Sequence, residues 1–213
     1  ESGERLRAVV LLGAVPRAFS GRLNPDGHPD HLGVWPADGY YGDLDREWTD
    51  TLDLGGAGTF ANRRGDGRFD HNTYPSLLEV PVGRIDPVDL PAFAPLDSDA
   101  LLRRYLDRNH TFRTGSLRVS PRAWVSDSFG YFNGEAFARV AWRVSGPLVG
   151  RDPERGRPFF DALDDEGGYL FALGVGAGTP TSAAGVGTTV DFARRSPRAV
   201  LMGLFGSYFG DWS

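Results

Sequence analysis

Apolar positions along the chain fall into short runs, separated by turn residues, and the period of the runs changes from segment to segment. Val9, Val10, Leu11 and Leu12 are consecutive, the pattern of a strand buried on both faces, and a Gly/Pro turn follows. "LLEVPVGRID" (77–86) predicts a second strand. Over "DSDALLRRYLDRNHTF" the period becomes helical. Leu101, Leu102, Tyr105, Leu106 and Asn109 share one face, and Asp97 or Ser98 supplies the N-cap. "RAWVSD" (122–127) predicts a third strand. Asn133 then caps a helix in which Ala136, Phe137, Val140, Ala141 and Val144 recur at helical spacing. "GYLFALGV" (168–175) predicts a fourth strand, running into the loop "GVGAGTPTSAAGVG", and "RAVLMGLFG" (198–206) a fifth.

Strands separated by helical crossovers predict an α/β fold: a mainly parallel sheet with helices on both faces and functional groups at the carboxyl ends of the strands. A chain of 213 residues is long enough to form this as a single domain, 1–213, burying roughly 70% of its unfolded surface without disulfides or metals. Residues 16–76 break the pattern. They are dense in Gly, Pro, Asp and aromatics with no sustained period, too long for an ordinary connection, and predict a loop insertion that needs its own cross-links.

Composition narrows the partners. With 28 acidic and 23 basic residues the net charge is −5, which argues against a phosphate-binding surface and so against nucleic acid. The chain has no Cys, excluding a thiolate nucleophile, a Cys-ligated zinc and any disulfide framework. No apolar run approaches the roughly 20 residues of a transmembrane helix. The opening "ERLRAVVLLGAVPRAFSG" imitates a secretory signal, yet its apolar core serves equally well as the first strand.

Five stretches carry candidate chemistry. "NPDGHPDH" places Asn24, Asp26, His28 and Asp30 on alternate residues; "GDLDREWTD" repeats the theme with Asp43, Asp45, Glu47 and Asp50; "GDGRFDHN" adds Asp66, Asp70 and Asn72. Calcium takes six to eight oxygens, and alternate Asp/Asn ligands on a Gly-turned loop supply them at short range, although none of the three matches the EF-hand pattern. The same residues also make turns and Asx caps without any ion. His28, His31 and His71 lack the spacing of a zinc site. The fourth stretch, "GVGAG", resembles a phosphate-cradling loop but lacks both G-x-G-x-x-G spacing and a Walker lysine, so it reads as a close-approach crossover. The fifth holds Ser207 in "LFGSYFGDW", a serine on the kind of turn that carries hydrolase nucleophiles, with no histidine after any later strand.

The order of these stretches resembles the gingipain-type cysteine peptidases, whose fold is caspase-like. "AVVLLGAVP", "PADGYYGDLD", "EVPVGRID", "DALLRRYLDRNHTFR", "GYLFALGVGAG" and "AVLMGLFGSYFGDW" carry the resemblance, with "VGRID" and "GSYFGDW" the most telling. In that family the fourth strand ends in Gly-His-Gly, whose His is the base, and the last in Ala-Cys followed by Gly-Asp. Those positions fall on Gly176, Ala177 and Gly178, and on Gly206 and Ser207, with Gly210 and Asp211 in register. Both catalytic positions are changed. Ala177 cannot accept a proton, and a Ser hydroxyl without an adjacent base is a poor nucleophile. Base and nucleophile act as a unit, so their joint loss leaves little peptidase activity.

The resemblance thus implies a vacated dyad at Ala177 and Ser207, with Gly178 and Gly206 as its retained glycine frame. It also implies a secreted or cell-surface location and calcium as the cofactor, with no organic cofactor. Such a module would bind a protein, a peptide, or the remainder of a longer polypeptide of which this chain is a segment, with association through an exposed sheet edge. Two other functions remain open on the residues. One is an active hydrolase using Ser207 with Asp211 or Asp127 as base and the 176–178 backbone N–H groups as oxyanion hole. The other is a nucleotide-binding domain using "GVGAG", for which Asp191 lies nearer than the usual ribose partner.

Overall fold

The computed structural model describes residues 6–22, 33–45, 47–53, 61–130 and 136–209. The chain divides into two compact units, Glu1–Val88 and Asp89–Ser213. It is a mixed α/β structure containing parallel strands in both units. In the described residues no helix is long and apolar enough to cross a membrane.

In the first unit, β1 (Val9–Leu12) pairs in parallel with β4 (Val82–Ile85), Val9 opposite Val82 and Leu12 opposite Ile85. The second strand expected over 77–86 is therefore shorter. Leu77 is exposed, and the Glu79 and Val80 N–H groups both turn to the Gly42 carbonyl, so 77–81 approach the sheet as a loop. Pro81 lacks the ladder donor that extending the strand would need. Within β1, Leu11 is buried while Val10 and Leu12 are exposed, an alternation in place of the expected two-faced burial. Two short strands, β2 (Phe19–Ser20) and β3 (Trp35–Pro36), pair antiparallel, and a 3-10 turn spans Asp38–Gly42.

What holds the aperiodic segment together is visible in its side chains. Tyr40, Trp48, Phe69, His71 and Tyr74 form a connected ring cluster with centroids 4.9–6.1 Å apart. Carboxylates and amides bind backbone around it. Asp50 accepts from the Gly65 and Gly67 N–H groups at 2.7 Å, Asp66 from those of Arg63 and Arg68, and Asp70 from those of Thr51 and Leu52. Fully buried Asn62 donates to the Gly21 and Phe69 carbonyls.

The second unit is built on three parallel strands in the order β10 (Ala199–Phe205), β6 (Tyr169–Val175), β5 (Ala123–Asp127). Its core gathers Trp124, Phe159, Phe160, Leu163, Tyr169 and Val186. Between β6 and β10 the glycine-rich loop folds as an antiparallel meander, β7 (Gly178–Thr179), β8 (Ser182–Ala183) and β9 (Gly187–Thr188).

Among the described residues, four α-helices complete the unit: α1 (Ser98–Arg113), α2 (Ala136–Val149), α3 (Phe159–Leu163) and α4 (Thr189–Arg194). Asp97 caps α1 through the Ala100 N–H at 2.8 Å, as its position predicts. The expected apolar face of α1 is not buried, since Tyr105 and Leu106 are exposed; Arg108 instead ties the helix to the Pro197 and Ala199 carbonyls. On α2, Val140 and Val144 of the predicted stripe are exposed while Ser145 is fully buried, so the Ser145 side of the helix turns inward. Arg139 and Arg143 mark the polar side, Val140 and Val144 lie next to it around the helix, and Ser145 lies on the opposite side, so the apolar arc alone does not choose its buried part. The Asn133 cap lies outside the described residues.

Candidate functional site

The carboxyl ends of β5, β6 and β10 lie side by side, with Asp127 opposite Val175 and Val175 opposite Phe205. Three loops leave this edge: Ser128 after β5, Gly176 to Gly178 after β6, and Gly206 with Ser207 after β10. Backbone hydrogen bonds hold them together, Ser128 N to Val175 O at 2.8 Å and Gly176 N to Phe205 O at 3.0 Å.

The glycines here are required by space. A Cβ at Gly176 would sit 2.1 Å from the Ala184 carbonyl oxygen, one at Gly178 2.3 Å from the Ser207 carbonyl oxygen, and one at Gly206 2.9 Å from the Gly176 carbonyl oxygen. The loops carrying Ala177 and Ser207 therefore pack backbone to backbone. Adjacent parallel strands bring together two positions 30 residues apart in the chain. The strained left-handed backbone of the turn falls on Tyr208 (φ 64°), one residue beyond Ser207.

Among the described residues, no carboxylate or imidazole hydrogen-bonds the Ser207 hydroxyl. Asp127 lies two strands away from β10, about 9–10 Å at the strand spacing. Its Oδ1 accepts from the Phe129 and Gly130 N–H groups, and its Oδ2 is buried without a partner. His71 engages Thr49 through Nε2 in the first unit, and His110 is exposed in the last turn of α1. Asp211, Gly210, His28 and His31 lie outside the described residues.

Beside Ala177 opens a cavity of about 480 Å³, between α3, the meander and α4. Phe159, Phe160 and Val186 give it an apolar floor. Arg195 lies 4.9 Å over the Phe160 ring and pairs with Asp164 and Asp161. The Asp164 hydrogen bond is the main reason its guanidinium holds its proton above the ordinary arginine range. Asp191 also borders the cavity, but its carboxylate accepts from the Thr188 hydroxyl at 2.7 Å and the Thr188 N–H at 2.8 Å, closing a capping box on α4. Those two bonds hold Asp191 below the usual carboxylate range and engage the residue that a ribose would need.

The predicted acidic positions separate by role. Asp66 and Asp70 bind backbone N–H groups within the loops, as Asx turns do. Glu47 is exposed, and Asp26 and Asp30 lie outside the described residues. Among the described residues, the group of acidic side chains close enough to share an ion is Asp43, Asp45 and Glu79, with one oxygen from each within 4.8 Å of the others. Glu79 was not legible as a member. It sits in the stretch that reads as strand, 34 residues after Asp45, and arrives only because 77–81 fold back on Gly42.

No family model, curated protein or solved structure matches this chain.

Proposed function

We propose that this chain is a catalytically degenerate caspase-like module of a secreted or cell-surface protein, with helices on both faces of a mainly parallel sheet and a long Asp/Gly-rich insertion. It acts in binding or scaffolding rather than in peptide hydrolysis. The observation that carries this reading is the packing of the Ala177 and Ser207 loops at the ends of adjacent parallel strands, with an alanine where the resemblance requires a base and, among the described residues, no acidic or imidazole partner on the serine. A hydroxyl without a base in hydrogen-bond reach is not activated at neutral pH.

The binding face is the cavity beside Ala177. Its aromatic floor and its rim of Asp161 and Arg195 suit a peptide segment or a segment of the same polypeptide. A calcium ion stiffens the insertion.

Incubation with a mixed peptide library, followed by mass spectrometry, tests the proposal. The expected result is no cleavage that disappears in Ser207→Ala. Cleavage by the wild type, lost in that variant, would make Ser207 an active nucleophile and overturn it.

A further inference from the structure

We infer that Asp43, Asp45 and Glu79 form one binding site for a hard divalent cation of calcium's size. The inference gives the ligands for the cation in the proposed function, and it stands or falls separately from the state of the Ala177/Ser207 pair.

Two observations meet at this place. The first is the convergence of three carboxylates within 4.8 Å. The second is the condition of Asp43, which is only 7% exposed: Oδ1 accepts from the Ser76 hydroxyl at 2.8 Å, while Oδ2 is buried with no hydrogen-bond partner. Native structures rarely leave a buried carboxylate oxygen without a donor, because desolvation is then uncompensated. The described partners of Asp43 and Glu79 are neutral donors, the Ser76 hydroxyl and the Leu44 N–H, so neither carboxylate's charge is neutralised by them.

The surrounding backbone holds this arrangement in place. Asp43 directly follows the 3-10 turn Asp38–Gly42, and the Glu79 and Val80 N–H groups both donate to the Gly42 carbonyl. A Cβ at Gly42 would lie 2.4 Å from the Val80 carbonyl oxygen, so the two segments approach as closely as glycine allows. Glu79 Oε2 in turn accepts from the Leu44 N–H at 2.7 Å, fixing the third carboxylate over the loop that carries the other two.

Donor chemistry chooses the ion. All three donors are carboxylate oxygens, with no imidazole or thiolate, which suits calcium or magnesium rather than zinc. Magnesium keeps several waters and is usually held by one or two carboxylates, whereas calcium takes several protein oxygens in a flexible shell, so three converging carboxylates favour calcium. Oxygens bound to a common calcium at about 2.3–2.6 Å can stand up to roughly 5.2 Å apart, and the three here lie within 4.8 Å of one another.

The test uses the whole chain, stripped with EDTA and titrated with calcium chloride by calorimetry. In parallel it is titrated with terbium, whose luminescence is read through Tyr40, Tyr41 and Trp48, aromatic neighbours of the site in sequence. Asp43→Asn, Glu79→Gln and Asp45→Asn are compared with Asp99→Asn, an exposed position in the second unit. The expected result is calcium-displaceable terbium emission and a calcium affinity lowered about tenfold or more in each site variant, a clear loss on the affinity scale, with Asp99→Asn unchanged. Absence of calcium binding in the wild type overturns the inference. So does wild-type affinity in both Glu79→Gln and Asp45→Asn, which decide the matter even if the buried Asp43→Asn fails to fold. None of these outcomes bears on Ser207, which is read by peptide cleavage.

Discussion

At the residue scale, the strongest constraints at the candidate site are glycines rather than reactive groups. Gly178→Ala drives a Cβ into the Ser207 carbonyl, and backbone cannot step aside as a flexible side chain can. The expected cost is about 1–3 kcal/mol or more, read as a lower urea midpoint with unchanged slope. A second set of residues makes stability depend on pH. Arg157 donates to both Asp165 oxygens at 3.0 Å, and Tyr169 donates to Glu154 Oε2 at 3.0 Å beneath the Arg122 guanidinium. The Arg157 bond, with the charges of Arg157 and Arg122, holds Asp165 below the usual carboxylate range. A depressed carboxyl contributes fully above its unfolded pKa of about 3.9 and loses that contribution as pH falls through its folded value. Asp165→Asn should therefore lower the melting temperature at pH 7, with the difference from wild type closing toward pH 3. Tyr169 works in the other direction. Burial first, then the Glu154 bond, pushes its hydroxyl up to about 12, so its contribution is complete below about pH 10 and fades as pH rises through the folded value. Tyr169→Phe should flatten the loss of stability that wild type shows above pH 10. None of these partners was legible in sequence, because Arg122, Glu154, Asp165 and Tyr169 share no spacing and meet only through the fold.

At the element scale, the strands were the most legible part and the helix faces the least. Short apolar runs over 9–12, 169–175 and 199–205, bounded by turn residues, mark strands, although Val10, Leu12, Leu201 and Leu204 stay exposed, so burial on both faces is not what the runs report. The burial of α1 and α2 depends on neighbours that a single helix's period does not reveal, which is why Tyr105, Val140 and Val144 were misplaced. The meander after β6 was hidden for a related reason: its strands are two residues long and give no alternation to detect. Its capping box is testable by itself. Thr188→Ala removes the Asp191 N–H acceptor and one carboxylate donor, and should lower stability by about 1 kcal/mol in thermal unfolding. The juxtaposed strand ends give a sharper test. If the Ala177 and Ser207 loops still frame a dyad, Ser207→Cys alone should alkylate with iodoacetamide like an ordinary thiol. Adding Ala177→His should speed alkylation below pH 8, because an imidazolium beside a thiol lowers its pKa. Equal rates in the two variants would show that the frame no longer aligns these positions.

At the scale of the whole molecule, sequence conveys class more readily than arrangement. The alternation of strand and helix gave α/β with parallel strands, and the structure has them, β1 with β4 and β5 with β6 and β10. The Asp-rich stretches announced a segment in need of cross-links, and the structure supplies an aromatic cluster and carboxylate-to-backbone bonds there. Which acids turn loops and which converge could not be read from spacing, because Glu79 joins Asp43 and Asp45 only through the close approach at Gly42. The central claim concerns reactivity, and the most direct measurement is the intact mass of the chain after prolonged incubation with a fluorophosphonate, which adds irreversibly to an activated serine. The account predicts unmodified mass, with and without calcium. A single stoichiometric adduct that maps to Ser207 and is absent from Ser207→Ala would contradict it.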